Sequence, residues 1–152
     1  MANEIRTKLI TRATMAMTLA SLANGNAQQS TIVSNSNNYP AALIFLKITS
    51  GSVAPTNGTV YEVYLLRGDG TNKTDNAGAS DAAITIENAP LLGTIVVTNN
   101  ANKAFYGEFD TSPLGPLGSE WGIAVKNASG QTLNATEANH VKAYQYYVPE
   151  VQ

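Results

Sequence analysis

The 152-residue chain contains no cysteine and a single histidine. The first absence excludes a disulfide scaffold, a thiol nucleophile and any thiolate-held zinc or iron–sulfur centre. The second excludes every metal site assembled from several histidines. Charge is scarce as well: Asp, Glu, Lys and Arg make up 13% of the residues, about half the usual share. With a formal net charge of −2 the chain has no basic excess with which to neutralise phosphates, so no nucleic acid is expected as a partner. No uninterrupted apolar run approaches the roughly 20 residues that a bilayer span needs, and no membrane partner is expected. Residues 9–22 (LITRATMAMTLASL) have the outline of a secretory signal, but Arg12 interrupts them and Thr and Ser are scattered through them. They are expected to be a structural element of the mature chain.

Asn, Thr and Ser take the place of charge, while the 43% hydrophobic content is ordinary for a globular protein. The length suits one domain with a continuous core. From residue 28 onward the hydrophobic pattern is that of β-structure. Residues 42–49 (ALIFLKIT), 60–66 (VYEVYLL), 82–86, 93–98, 104–109, 121–126 (WGIAVK) and 140–148 (HVKAYQYYV) are short runs bounded by Gly, Pro, Asn or Asp. Residues 29–33 form another, ended by a polar cluster at 34–38, and residues 67–80 read as a long Gly/Asn/Asp loop. Residues 14–22 fit helical and alternating spacing about equally well. Roughly eight to ten short strands with no helical stretch between them predict an all-β, antiparallel β-sandwich, jelly-roll-like in its layout. The expected division is an extended N-terminal arm over residues 1–13 and one sandwich domain over residues 14–152.

Chemistry has few places to reside. Arg67-Gly68-Asp69 spells an adhesion tripeptide, but it sits where a strand enters a turn. Asp69, Asp75 and Asp81 could gather around calcium, yet Thr71 and Lys73 occupy positions where an EF-hand needs ligands, and Asp and Asn are ordinary turn formers. Glu108, Asp110 and Glu120 are the one carboxylate group that a sugar-cleaving enzyme could use, with nothing to mark a cleft. His140 lacks a Gly-x-Ser-x-Gly partner and opens the last strand, as a structural histidine would. No catalytic residue, metal site or cofactor is therefore expected. Asn-x-Ser/Thr triplets begin at Asn57, Asn72, Asn127 and Asn134 and matter only in a secreted chain. Trp121 is expected to anchor the core. Tyr144 and Tyr146 share one face of the last strand and Tyr147 the other; one face is expected in the core and one at an interface, and all three are candidates for contact with a partner.

Taken in order, residues 18–38 (TLASLANGNAQQSTIVSNSNN), then LIFLKITSGS, VYEVYLLRGDGTNKTDNAGASDAAIT, APLLGTIVV, WGIAVKNASGQTLNATEANH and a closing aromatic strand resemble a group of small structural proteins of tailed bacteriophages. These are capsid-associated or other virion proteins of jelly-roll-like β-sandwich fold. The resemblance tips residues 14–22 toward strand. It implies a non-enzymatic virion component, foremost a decoration or cement protein on the capsid surface that braces neighbouring coat subunits. Its partners would then be the major capsid protein and copies of itself, as a homo-oligomer on the particle, after a stage in the host cytoplasm. The other placement is a neck, tail or baseplate module that binds host carbohydrate. In either setting the arm, with Glu4, Arg6 and Lys8 alternating along it, is expected to lie across a neighbour and add a strand to its sheet.

Overall fold

The computed structural model describes residues 4–151. Eleven antiparallel strands form two sheets. The first sheet runs in the order β1 (Ile5–Leu9), β11 (Val141–Val151), β5 (Ala41–Thr49), β9 (Ala104–Asp110), and β2 (Ala13–Thr14) also pairs with β11. The second runs β7 (Ala82–Ile84), β3 (Ala27–Gln29), β10 (Glu120–Ala128), β6 (Val60–Gly68), β8 (Leu91–Val96), and β4 (Val33–Ser34) also pairs with β10. The chain is thus an antiparallel β-sandwich. Two pairs, β1 with β2 and β3 with β4, are each one strand with a break. Counting each pair once and setting β7 aside leaves eight strands, in the order 1-8-3-6 in one sheet and 2-7-4-5 in the other. That order is a jelly roll.

Period-two patterning builds the core between the sheets. Ala42, Ile44, Leu46 and Ile48 of β5 face Tyr61, Val63 and Leu65 of β6 and Trp121, Ile123 and Val125 of β10, all buried. Burying such side chains is worth about 25 cal/mol per Å² of apolar surface removed from water. β6 and β10 are also covered on their outer side. The segment between β6 and β8 folds back so that Ala77 and Ala89, with Ile84 and Ile86, pack on Leu66 and Ala124. The stretch read as a long loop at residues 67–80 is thus in part a cover on the second sheet, through Ala77. It turns where Asp75, at φ 54°, accepts N–H bonds from Glu87, Asn88 and Ala89.

Residues 14–22 differ from expectation in a telling way. Met15, Met17 and Leu19 are buried and the residues between them exposed, as on a strand, but only Ala13 and Thr14 join a ladder. The rest crosses from the first sheet to the second. Its backbone is tied down by the Thr31 N–H to the Ala16 carbonyl (2.8 Å) and by the Leu19 and Ala20 N–H groups to a Glu137 carboxylate oxygen (2.8 and 2.7 Å). Burial alone would raise the Glu137 pKa; the Lys142 ammonium and these two N–H groups outweigh it and hold the carboxyl below its ordinary value. Among the described residues no helix is long and apolar enough to cross a membrane.

Candidate functional site: the terminal ribbon

β11 is longer than its neighbour. Its pairing with β5 ends at Tyr147 opposite Ala41, whereas residues 148–151 continue and pair with β1 alone. The chain ends thus leave the first sheet as a two-stranded ribbon in which every residue of β1 is exposed. Its register sets Ile5, Thr7 and Leu9 opposite Val151, Pro149 and Tyr147 on one face, and Arg6 and Lys8 opposite Glu150 and Val148 on the other. The first face carries no charge, and Ile5, Leu9 and Val151 expose 71%, 56% and 62% of their surface. The second face holds ion pairs: Lys8 to Glu150 at 2.6 Å, and Arg6 to Glu4 at 2.7 Å. Bonding to the Glu150 carboxylate raises the Lys8 pKa. Exposed pairs of this kind add little stability. A two-stranded ribbon is marginal by itself in water, so an apolar face on one is a surface suited to a partner.

The hydrogen-bond polarity of the ribbon follows from a single contact. The Ile10 N–H donates to the Tyr146 carbonyl at 2.8 Å. Bonded and non-bonded pairs alternate along an antiparallel ladder, so Lys8 with Val148 and Arg6 with Glu150 are the bonded pairs. Leu9, Thr7 and Ile5 lie in the non-bonded pairs and turn their N–H and C=O groups to the outer edge of β1. Among the described residues no other element bonds to those groups. Pro149 lies in a non-bonded pair too, so its nitrogen, which has no hydrogen, faces the opposite edge of the ribbon. That edge lacks a donor where it would otherwise continue the ladder, the usual position for proline in a strand.

The candidate interface residues separate. Glu4, Arg6 and Lys8 lie in the exposed arm, but the arm's ladder bonds go to the chain's own β11. Tyr144 and Tyr146 turn inward and form the core face of the strand, which leaves Tyr147 as the one of the three candidates on the outer face. The indole N–H of Trp121 donates to the Tyr146 hydroxyl at 2.8 Å, and both tyrosine rings stand edge-on to the indole at 5.2 and 5.8 Å. The apolar demand of the core claims this face. Tyr147 points outward and donates to Asp110 at 2.7 Å. Ile5, Leu9, Pro149 and Val151 were missed in the sequence. Their signal was present in the alternation of Ile5 and Leu9 with Arg6 and Lys8, and in a proline within the closing strand.

The other candidates have structural partners. The Asp69 carboxylate accepts the Asn72 and Thr71 N–H groups (2.7 and 2.8 Å), which hold its pKa down to about 2. Asp81 bonds Thr18 and Gln28. Among the described residues no three His, Asp or Glu side chains converge as a cation site would need. Glu108 and Asp110 lie outside the first sheet. Glu120 lies outside the second, 3.2 Å from Lys73, so the core separates it from the other two carboxylates. Asn127 is fully buried, out of reach of a glycosylating enzyme in the folded chain.

His140 is buried, and its Nδ1 accepts the Thr49 N–H at 3.2 Å while Nε2 meets the Asn134 carbonyl at 3.1 Å. The pattern requires a neutral ring with its proton on Nε2. Burial depresses its pKa below the ordinary value of 6.5, against Glu137, which favours the charged form, and with Lys142 and Lys47, which disfavour it. A depressed folded-state pKa means that the unfolded chain binds the proton first. The contribution to stability is full above pH 6.5 and is lost as pH falls below it. Melting curves between pH 7.5 and 5 are expected to show a falling transition temperature, and His140→Asn is expected to flatten this part of the profile.

No family model matches the chain, and no curated protein matches it. Among solved structures it is similar to that of tomato aspermy virus by X-ray crystallography, with 14% identity over 95% of this chain and 76% of that one and a TM-score of 0.38. It is also similar to the structure of infectious bursal disease virus Gx strain, with 13% identity over 97% of this chain and 32% of that one and a TM-score of 0.20. Likeness at these scores fixes neither the fold nor the role of this chain.

Proposed function

We propose that the chain is a non-enzymatic structural protein of a virion, and more narrowly a decoration or cement protein on a tailed-phage capsid, bound to the major capsid protein. The observation that carries this reading is the terminal ribbon on a jelly roll whose interior is filled by side chains. Jelly rolls serve in viral capsids, in lectins and in cupins, so the fold by itself does not choose. The interior is packed with Trp121, Tyr61, Met15, Leu19 and their neighbours, where a cupin keeps a polar, ligand-holding centre. Burial of Trp121 also takes that side chain away as a stacking platform for a sugar. What remains for a partner is an apolar ribbon face beside the open face of the first sheet, on which Tyr106 stands 73% exposed. The scarcity of charge fits this role. Asn, Thr and Ser form contacts at small entropic cost, whereas fixing a Lys or Glu costs about 1.5–2 kcal/mol, and many copies on a shell make weak contacts effective together.

Particles purified from the cells that express the chain test this reading. On a stained gel the chain is expected among the virion proteins at hundreds of copies per particle. Six or twelve copies would move it to the neck or tail, and its absence from washed particles would overturn the structural role.

A further inference from the structure

We propose that Asn57 is a self-modification site, at which the side-chain amide is lost and a new carboxylate appears at one end of the sandwich. The inference stands apart from the proposed virion role. The chain has two Asn-Gly dipeptides, Asn24-Gly25 and Asn57-Gly58, in which the glycine brings no side chain to shield its nitrogen. Both form the same turn. The residue after the glycine bonds back to the residue before the asparagine: the Asn26 N–H to the Ala23 carbonyl and the Thr59 N–H to the Thr56 carbonyl, each at 3.2 Å. The glycines take φ 85° and 80°, as the third position of a type II turn requires. All four residues of the two dipeptides are exposed. Chemistry, turn and access to water are thus matched, and the bonds that hold each turn differ.

At Asn24 both reacting groups are engaged. Its Oδ1 accepts the Gly130 N–H at 2.8 Å, and the Gly25 N–H donates at 2.7 Å to the carbonyl of Asn127, in the central strand β10. Attack there must break a bond into the middle of the second sheet and free the amide as well. At Asn57 the side-chain amide has no partner among the described residues. The Gly58 N–H donates at 3.0 Å to the carbonyl of Val97, just beyond β8, the edge strand of that sheet. A segment at the end of an edge strand opens locally more readily than one held by a central strand. When it opens, hydroxide takes the Gly58 amide proton and the nitrogen attacks the Asn57 side-chain carbonyl carbon. A C–N bond forms and ammonia leaves, closing a succinimide ring. Water then breaks one of the two ring C–N bonds, giving aspartate or, where the main-chain bond breaks, isoaspartate. One water is taken up and one ammonia released, with no change of oxidation state. Each event adds a negative charge to the formal −2. The related dipeptide Asp69-Gly70 is kept from this route, because its ionised carboxylate is a poor electrophile and is tied to the Thr71 and Asn72 N–H groups.

The test incubates the full chain at mildly alkaline pH, folded and in concentrated urea. Peptide mapping by mass spectrometry follows each dipeptide, since conversion raises the mass by the difference between water and ammonia. The rates in urea, where neither turn is held, are the reference for each dipeptide. Relative to them, folding is expected to slow Asn24 at least roughly tenfold more than Asn57. Isoelectric focusing of the folded chain is expected to show a first acidic species that Asn57→Gln removes. The mapping uses the unaltered chain and needs no variant to fold. Equal slowing at the two dipeptides, conversion of neither in the folded chain, or an acidic species that persists in Asn57→Gln would overturn the proposal.

Discussion

Trp121→Ala is expected to destabilise the domain by about 3–5 kcal/mol, the cost of removing a large aromatic side chain from a packed core. Trp121 is fully buried where the two sheets face each other, and it is the only tryptophan. Its indole touches Tyr144 and Tyr146 edge-on, and its N–H is the partner of the Tyr146 hydroxyl. The substitution therefore opens a cavity and strands a hydroxyl that has little access to water, a further loss of about 1 kcal/mol. Domains of this kind have about 5–15 kcal/mol in total, so the variant would sit near the threshold of folding. At roughly 2–4 °C per kcal/mol for this size, the melting temperature should fall by about 8–24 °C, as read by circular dichroism. A fall of under 3 °C would refute the central place given to this side chain. Trp121→Phe combined with Tyr146→Phe isolates the hydrogen bond: the double variant is expected to be more stable than the sum of the two single losses.

Asn127→Ala is the second large effect, expected at about 1–3 kcal/mol. The side chain of Asn127 is fully buried in β10, and all of its bonding capacity is used. Its Nδ2 donates to the Leu22 carbonyl at 2.9 Å and the Gln131 carbonyl at 2.7 Å. Its Oδ1 accepts the Ser129 N–H at 3.1 Å and the Ser129 hydroxyl at 2.7 Å. One side chain thus joins the crossover near Leu22 to the turn after β10. Alanine would leave the buried Ser129 N–H without its partner, while the Leu22 carbonyl keeps the Leu133 N–H and the Gln131 carbonyl keeps the Ser129 hydroxyl; a buried donor left unmade costs more than the bond returns when made. Denaturant unfolding should show a lower midpoint with an unchanged slope. Loss of under 1 kcal/mol would mean that water or a shifted neighbour takes over the bonds.

These two residues show how unevenly the sequence reveals the structure. Trp121 and the runs around β5, β6, β9, β10 and β11 were legible because alternation of apolar and polar residues follows directly from which strand face meets water. Asn127 was not. In sequence it belongs to an Asn-rich stretch and opens a glycosylation triplet, and nothing local distinguishes a buried, saturated amide from a turn residue. Asn35 is a similar case: it is buried and binds the Tyr39 and Gly118 carbonyls from within a polar cluster expected to be plain loop. Residues 14–22 add a different lesson. Period-two burial at Met15, Met17 and Leu19 reports an extended backbone with one covered face, and says nothing about whether a neighbouring strand completes its ladder.

The arm illustrates the same division at the candidate site. Alternation of Ile5 and Leu9 with Arg6 and Lys8 is local and visible. Its pairing with residues 147–151 joins the two ends of the chain; Lys8 and Glu150 are 142 positions apart. No local pattern carries a register of that span. The split of Tyr144 and Tyr146 from Tyr147 could be read as two faces of one strand, but which face was covered depended on the position of Trp121 across the sandwich.

The amino-acid sequence by itself determined that this is a two-sheet antiparallel protein with few charges and no thiol, because hydrophobic period and composition are properties of neighbouring residues. The tertiary structure alone decided the jelly-roll strand order, the open edge of β1 and the blunted edge at Pro149. Those depend on pairings between distant segments, whose free energy arises only when the whole chain has closed on itself.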